Sequence, residues 1–201
     1  MRRNCALLLC ALTIVSEIWG LGRYFLQVGF SMYVFYTECS NTLALVSAAL
    51  VLWALVRNGK VGERTRFVRY VAACMQTMTF LVVLFVLVPL INAYEGNGFE
   101  QMFLTGGRPV THFVGPVLTV LGWLVVENTP ELAEGECVPS VQQAWLTLVP
   151  TLLYAAVSYL ANYLRWWKGP YPFLQVWDMP VWMSVLWFVV LFDLAAGIAH
   201  A

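Results

Sequence analysis

Charge is what this chain has least of. Asp, Glu, Lys and Arg make up 11% of its 201 residues, and eleven bases cancel eleven acids to a net charge of zero. Soluble domains carry about 25% charged residues. With no basic face or tail, an electrostatic nucleic-acid binder is excluded. Histidine is nearly absent: His112 and His200 are the only two. They fall at opposite ends of apolar runs, so they cannot share one ligand, and no carboxylate–histidine spacing suggests a metal. Neither a metal nor a cofactor is expected. Cysteine is sparse and scattered, at Cys5, Cys10, Cys39, Cys74 and Cys137. The count is odd and the spacing fits neither a zinc site nor a disulfide framework, so all five read as small apolar fillers. There is no internal repeat, no low-complexity tract and no soluble domain.

What is present is apolar. The apolar fraction is 61%, against roughly 45–50% in soluble domains. A soluble fold of this size cannot hide that much apolar surface; a bilayer can, because lipid is the solvent for the outward face. Met1-Arg2-Arg3, followed by the apolar run from Cys5 to Val15, imitates a secretory signal. The next residues, Ser16, Glu17, Ile18 and Trp19, offer no small-residue cleavage site, so the run reads as an uncleaved first span.

A helix needs about 20 apolar residues to cross the hydrocarbon core. Runs of that length lie at about 5–23, 35–56, 69–92, 110–127, 143–164 and 179–199. The fold class is all-α: one transmembrane domain over 1–201, a bundle of six transmembrane helices. Arg2, Arg3, Arg57, Lys60, Arg64, Arg66 and Arg69 fall on one side, and Arg23, Arg108, Arg165 and Lys168 on the other. The excess of basic residues places both termini in the cytoplasm. Residues 128–142 run against this, holding Glu131, Glu134 and Glu136 and no base, but acids contribute little to orientation. Trp19, Tyr33, Trp53, Tyr163 and Trp182 are among the aromatics at span ends, where rings anchor to headgroups.

Ionisable groups inside spans are costly and face an interior or a cavity. Glu17, Glu127 and Asp193 are such acids. At the far end of the second span, Thr37, Ser40 and Asn41 share one helix face by their i, i+3, i+4 spacing, with Glu38 about 100° away. The plain reading is a polar helix entrance, with hydroxyls bonded back to helix carbonyls. His112, just before Pro116, opens the fourth span; it reads either as a histidine satisfied by a neighbour or as a general base. Gly169-Pro170-Tyr171-Pro172-Phe173-Leu174 is a stiff aromatic loop before the last span, either a lid or a rigid turn. With six alternating spans, all three motifs fall at one membrane face. A hydroxyl, an imidazole, several amides and a nearby acid are the parts of a base-activated nucleophile.

These residues resemble a family. Phe35-Tyr36-Thr37-Glu38-Cys39-Ser40-Asn41 is similar to the Y-F-T-x-x-S-N stretch of a bacterial six-span membrane protein family. His112 with Pro116 and Trp123 resembles its H-x-x-x-P-x-x-x-x-x-x-W stretch, and Tyr171 to Leu174 its Y-P-F-L signature. That family is in turn similar to the androgen-induced membrane proteins of animals, the family of the androgen-dependent TFPI-regulating protein, which are threonine hydrolases for fatty acid esters of hydroxy fatty acids. The resemblance implies Thr37 as nucleophile and His112 as base. Two positions depart from it. Gly122 stands where an Asp often precedes the Trp, and Gln175 where an acid often follows Y-P-F-L. Neither change touches Thr37 or His112.

The expected function is an integral membrane hydrolase of a lipid ester. Ser40, Asn41, Tyr171 and Phe173 are candidates for substrate binding or the oxyanion, and Glu17, Glu38 and Asp178 for orienting His112. The partner is membrane lipid or the ester itself. The alternative is a non-catalytic lipid- or sterol-binding protein or a small transporter. The expected home is a prokaryotic inner membrane, the alternative a eukaryotic endomembrane. Reporter fusions test the orientation. Alkaline phosphatase joined after Asn58 or Ala201 is expected to be inactive, and after Asn97 or Lys168 active; the reverse pattern overturns the assignment.

Overall fold

The computed structural model describes residues 1–135 and 138–201. Glu136 and Cys137 lie outside the described residues. Six stretches are long and apolar enough to cross a bilayer: Arg2–Val34, Tyr36–Asn58, Glu63–Glu95, Val110–Glu127, Val141–Tyr163 and Val181–His200. The described residues contain no β-strand, only an isolated bridge between Val61 and Ala133.

The chain divides into two compact units, Met1–Pro139 and Ser140–Ala201. The first holds α1 (Arg2–Val28), a 3₁₀ turn (Gly29–Val34), α2 (Tyr36–Asn58), α3 (Glu63–Val82), α4 (Val88–Glu95), α5 (Gly98–Phe103) and α6 (Gly115–Glu127). Four of these form a ring in which α1 packs on α2, α2 on α3, α3 on α6, and α6 back on α1. The second unit holds α7 (Val141–Leu146), α8 (Leu148–Tyr163) and α9 (Val181–His200).

Two spans are longer than the sequence suggests, each 33 residues. Charge hid their true ends. Arg23 does not stop the first span; its guanidinium lies 5.3 Å over the Trp19 ring, so the side chain snorkels while the backbone stays helical. Arg66 and Arg69 do not precede the third span; they lie inside it and are buried. The basic excess at the N-terminal end of the unit thus rests on Arg2, Arg3, Arg57, Lys60 and Arg64 at the surface. Asp193 also departs from expectation, lying exposed on α9.

Prolines explain two local irregularities. A proline ring clashes with the carbonyl four residues back. For Pro89 and Pro116 those carbonyls belong to Phe85 and His112. Both sit in π-helical turns, Val83–Leu87 and Val110–Val114, where the chain widens to i→i+5 bonding: Val88 N–H donates to Val83 and Gly115 N–H to Val110. The four-residue spacing of His112 and Pro116 therefore sets the backbone that carries the imidazole.

The ring is polar inside and apolar outside. Glu17, Asn41, Gln76 and Thr119, one from each helix, are 0% exposed. Leu8, Leu12, Val15 and Trp19 form an exposed stripe on α1, and Val117, Leu121 and Leu124 on α6. Such a distribution is stable where lipid is the solvent. The end near Met1 is closed by an apolar layer of Ala6, Cys10, Val51, Ala54, Leu55 and Val126. There Arg66 forms a two-point ion pair with Glu127, its Nε at 2.9 Å from Oε2 and its second amine on Oε1. Glu127 Oε1 also accepts Val138 N–H at 2.7 Å, and Arg66 donates to the Glu134 carbonyl at 2.9 Å. The pair thus fastens the loop after α6 onto α3.

Glu127→Gln strands a buried guanidinium and is expected to cost about 3–5 kcal/mol in detergent-solubilised unfolding, with Arg66→Met plus Glu127→Leu recovering most of it. Equal loss in the single and double variants would show that the cost does not come from the stranded charge.

Candidate functional site

The distal end of the ring, away from Met1, gathers two of the three sequence motifs. The chain enters α2 through extended Phe35, so its first two turns carry Thr37, Glu38, Ser40 and Asn41, all buried. Ser40 Oγ donates to the Thr37 carbonyl at 2.8 Å, the back-bonded geometry that the spacing suggests, and meets Thr79 Oγ1 at 2.9 Å.

Asn41 is the hub. Its Nδ2 donates to the Thr37 carbonyl at 2.8 Å and to the Thr111 carbonyl at 3.3 Å. Its Oδ1 accepts from Gln76 Nε2 at 2.8 Å, which fixes which way the amide faces. One side chain therefore holds the first turn of α2 against the segment bearing His112. Gly20 on α1 lets Thr111 approach: a Cβ there would stand 2.9 Å from Thr111 Cγ2. Gln76 and Thr79 are absent from the sequence-based candidates. Their signal is two polar residues three apart within an apolar run, a spacing that puts both on one helix face.

His112 is held by a backbone carbonyl. Its Nδ1 lies 2.7 Å from the Met102 oxygen, which can only accept, so Nδ1 carries the hydrogen. In the neutral ring that makes Nε2 the basic nitrogen. Met102 is delivered by α5, which packs tightly on α4 at Gly98. A Cβ on Gly98 would come within 3.0 Å of the Val88 carbonyl, and Gly98 N–H bonds Asn92 Oδ1 at 2.6 Å. Phe103 stands edge-on to the imidazole at 6.3 Å, part of an apolar cluster with Phe80, Val83 and Val88.

The carboxylates take other places. Glu38 is buried in the first turn of α2. Glu17 lies one turn below His112, its Oε1 against Gly115, where a Cβ would collide with it. Neither Glu17 oxygen has a hydrogen-bond partner among the described residues. Asp178 pairs with Lys168 at 3.0 Å on the surface of the second unit. Tyr171 and Phe173 also belong to that unit, stacked at 5.2 Å and 8°, with the Phe173 carbonyl accepting from Tyr159 at 3.3 Å. Asn162 fastens this loop, accepting Val176 N–H at 2.8 Å and donating to the Trp167 carbonyl at 3.3 Å.

Below Glu17 lies a second charge. Arg69 donates to the Ala44 carbonyl at 3.3 Å, to Ser47 Oγ at 3.2 Å and to the Leu118 carbonyl at 3.5 Å, with its guanidinium 2.5 Å from where Gly122 would carry a Cβ. Gly115 and Gly122 thus make room on α6 for one acid and one base. Seven residues separate them, roughly 10 Å along the axis at ~1.5 Å per residue. At an effective dielectric of about 20, charges so spaced attract by under about 2 kcal/mol, less than the several kcal/mol each ion loses on burial.

No family model, no curated protein and no solved structure matches this chain.

The chemistry available is that of a threonine hydroxyl and a histidine whose Nε2 is its basic nitrogen, on segments joined through Asn41. Both N–H bonds of Asn41 and the O–H of Ser40 are already engaged, so these residues position the site. Phe35 gives α2 no side-chain cap; the Glu38 carboxylate bonds its own backbone N–H, and the Thr37 N–H lies in the first turn, where helix geometry supplies no carbonyl one turn back. Asn41→Leu strands two carbonyls and the Gln76 amide, each costing about 1–3 kcal/mol. A marked fall in melting temperature is expected; an unchanged value would remove Asn41 as the hub.

Proposed function

We propose that this chain is a membrane-embedded threonine hydrolase acting on a lipid ester, such as a fatty acid ester of a hydroxy fatty acid. The observation that supports the reading is the Asn41 amide, which ties the Thr37 and Thr111 carbonyls together and so joins the turn bearing Thr37 to the segment of a histidine bonded through Nδ1. The motif resemblance around Thr37, His112 and Tyr171 to Leu174 supports it.

In this mechanism the Thr37 hydroxyl attacks the ester carbonyl while His112 Nε2 takes its proton. The tetrahedral oxyanion is stabilised by the Thr37 N–H at the start of α2, where the helix dipole favours negative charge. Collapse expels the alcohol, which receives the proton from His112, and leaves an acyl-threonine. Water then attacks the acyl group with His112 as base, freeing the fatty acid and restoring Thr37. The Met102 carbonyl fills the orienting role that an acid fills in other triads. Acyl chains are accommodated by the apolar surface around Phe80 and Phe103. Gly122, where the resembled family often has Asp, faces Arg69, so an acid there would pair with that guanidinium. The proposed setting is a prokaryotic inner membrane with both termini cytoplasmic.

Labelling the detergent-purified protein with a fluorophosphonate probe tests the reading. Wild type is expected to label at Thr37, with Thr37→Ala and His112→Ala reduced by about a thousandfold or more. No labelling of folded wild type would point instead to a non-catalytic lipid-binding site.

A further inference from the structure

The ring interior contains oxygens that the proposed hydrolysis does not use. Both Glu17 carboxylate oxygens, Gln76 Oε1 and Thr119 Oγ1 are buried without a hydrogen-bond partner among the described residues. They come from α1, α3 and α6, and each parent residue is 0% exposed. Asn41 Oδ1, from α2, joins them. It and Glu17 Oε1 both lie within 3.1 Å of one point, the place a Cβ would take on Gly115. Asn41 Oδ1 uses one lone pair on Gln76 Nε2 and keeps a second. Thr119 is one helical turn past Gly115 and so on the same face of α6. The carboxylate and amide oxygens can only accept and the Thr119 hydroxyl can do both; Arg69 Nε and Trp123 Nε1 are the buried donors on these helices without a partner among the described residues.

A buried carboxylate grouped with further acceptor oxygens needs a source of positive charge. Arg69 is the basic side chain within the ring, but its guanidinium sits two turns away against Gly122, its two terminal amines bond Ala44, Ser47 and Leu118, and its Nε has no partner among the described residues. At that distance it compensates Glu17 weakly and, by the same reasoning, repels a second cation weakly. An all-oxygen donor set suits a hard ion, and a single carboxylate suits one of single charge, since divalent sites recruit more carboxylates. We propose that Glu17, Asn41, Gln76 and Thr119 form a binding site for a monovalent alkali cation inside the four-helix ring. The site lies beneath the distal end, and the apolar layer around Cys10 and Leu55 closes the unit at its other end. The ion therefore enters from the side of Thr37 and His112 and does not pass through. Because Asn41 is both a ligand and the hub of the distal end, occupancy stiffens that end. The site does not require the hydrolase reading.

The test is thermal unfolding of the purified full chain, followed by tryptophan fluorescence in sodium chloride and in choline chloride at matched ionic strength. A ligand that binds only the folded state raises Tm with its concentration. Wild type is expected to show a saturable rise in Tm with sodium over choline, and Glu17→Gln to show none. Equal Tm in the two salts for wild type overturns the site and leaves these oxygens to ordered water. A sodium-dependent rise that survives in Glu17→Gln overturns it as well. If Glu17→Gln does not fold, Thr119→Val and Gln76→Met replace it. Both are expected to need several times more sodium for the same rise, and an unchanged sodium requirement in both refutes the assignment. Probe labelling at Thr37 is a separate readout, so loss of either result leaves the other standing.

Discussion

The amide of Asn41 is the interaction on which the first unit depends. It bonds the carbonyl of Thr37 on its own helix, the carbonyl of Thr111 on the chain opening α6, and the amide of Gln76 on α3. In lipid a stranded amide finds no water to replace a lost partner, so three satisfied bonds specify one arrangement of three helices. Ser40 with Thr79 repeats the link one residue away. These contacts convert polar residues, which a membrane otherwise disfavours, into the elements that set register.

Small residues make this possible. Gly20, Gly115 and Gly122 are each pressed by a side chain from another helix: Thr111, Glu17 and Arg69. In membranes helices gain little from hydrophobic association, and close approach at small residues supplies the packing. Here the approach also admits an acid and a guanidinium to the interior. Because each glycine sits where a Cβ would collide, the polar groups and the glycines require one another. The apolar layer around Cys10 then closes the polar interior at the end near Met1.

The segment around His112 shows how backbone irregularity serves a site. Pro116 forbids a regular helix across His112, and the π turn that results rotates the imidazole relative to α6. Its Nδ1 then meets a carbonyl from α5 rather than one from its own helix. A histidine so held has a defined tautomer without a neighbouring acid. Glu17, Glu38 and Asp178 are thereby released from that role and are explained separately: Glu17 by the ring interior, Glu38 by the first turn of α2 and Asp178 by Lys168.

Composition and run length determined that this chain folds as helices, six of them long and apolar enough to cross a membrane. Spacing alone also placed Thr37, Ser40 and Asn41 on one face, since that follows from 3.6 residues per turn. It did not locate the ends of the first and third spans, because a charge read from sequence looks like a boundary. Arg23 rests on Trp19, and Arg66 is neutralised by Glu127, 61 residues away. The partners of His112 and Asn41 were likewise beyond sequence reading: Met102 reaches His112 only because Gly98 lets α5 fold back, and Gln76 reaches Asn41 only across the α2–α3 contact. Period and polarity are local properties and survive in one dimension. Which acceptor meets which donor depends on helix rotation and close approach, and those were decided by the tertiary structure.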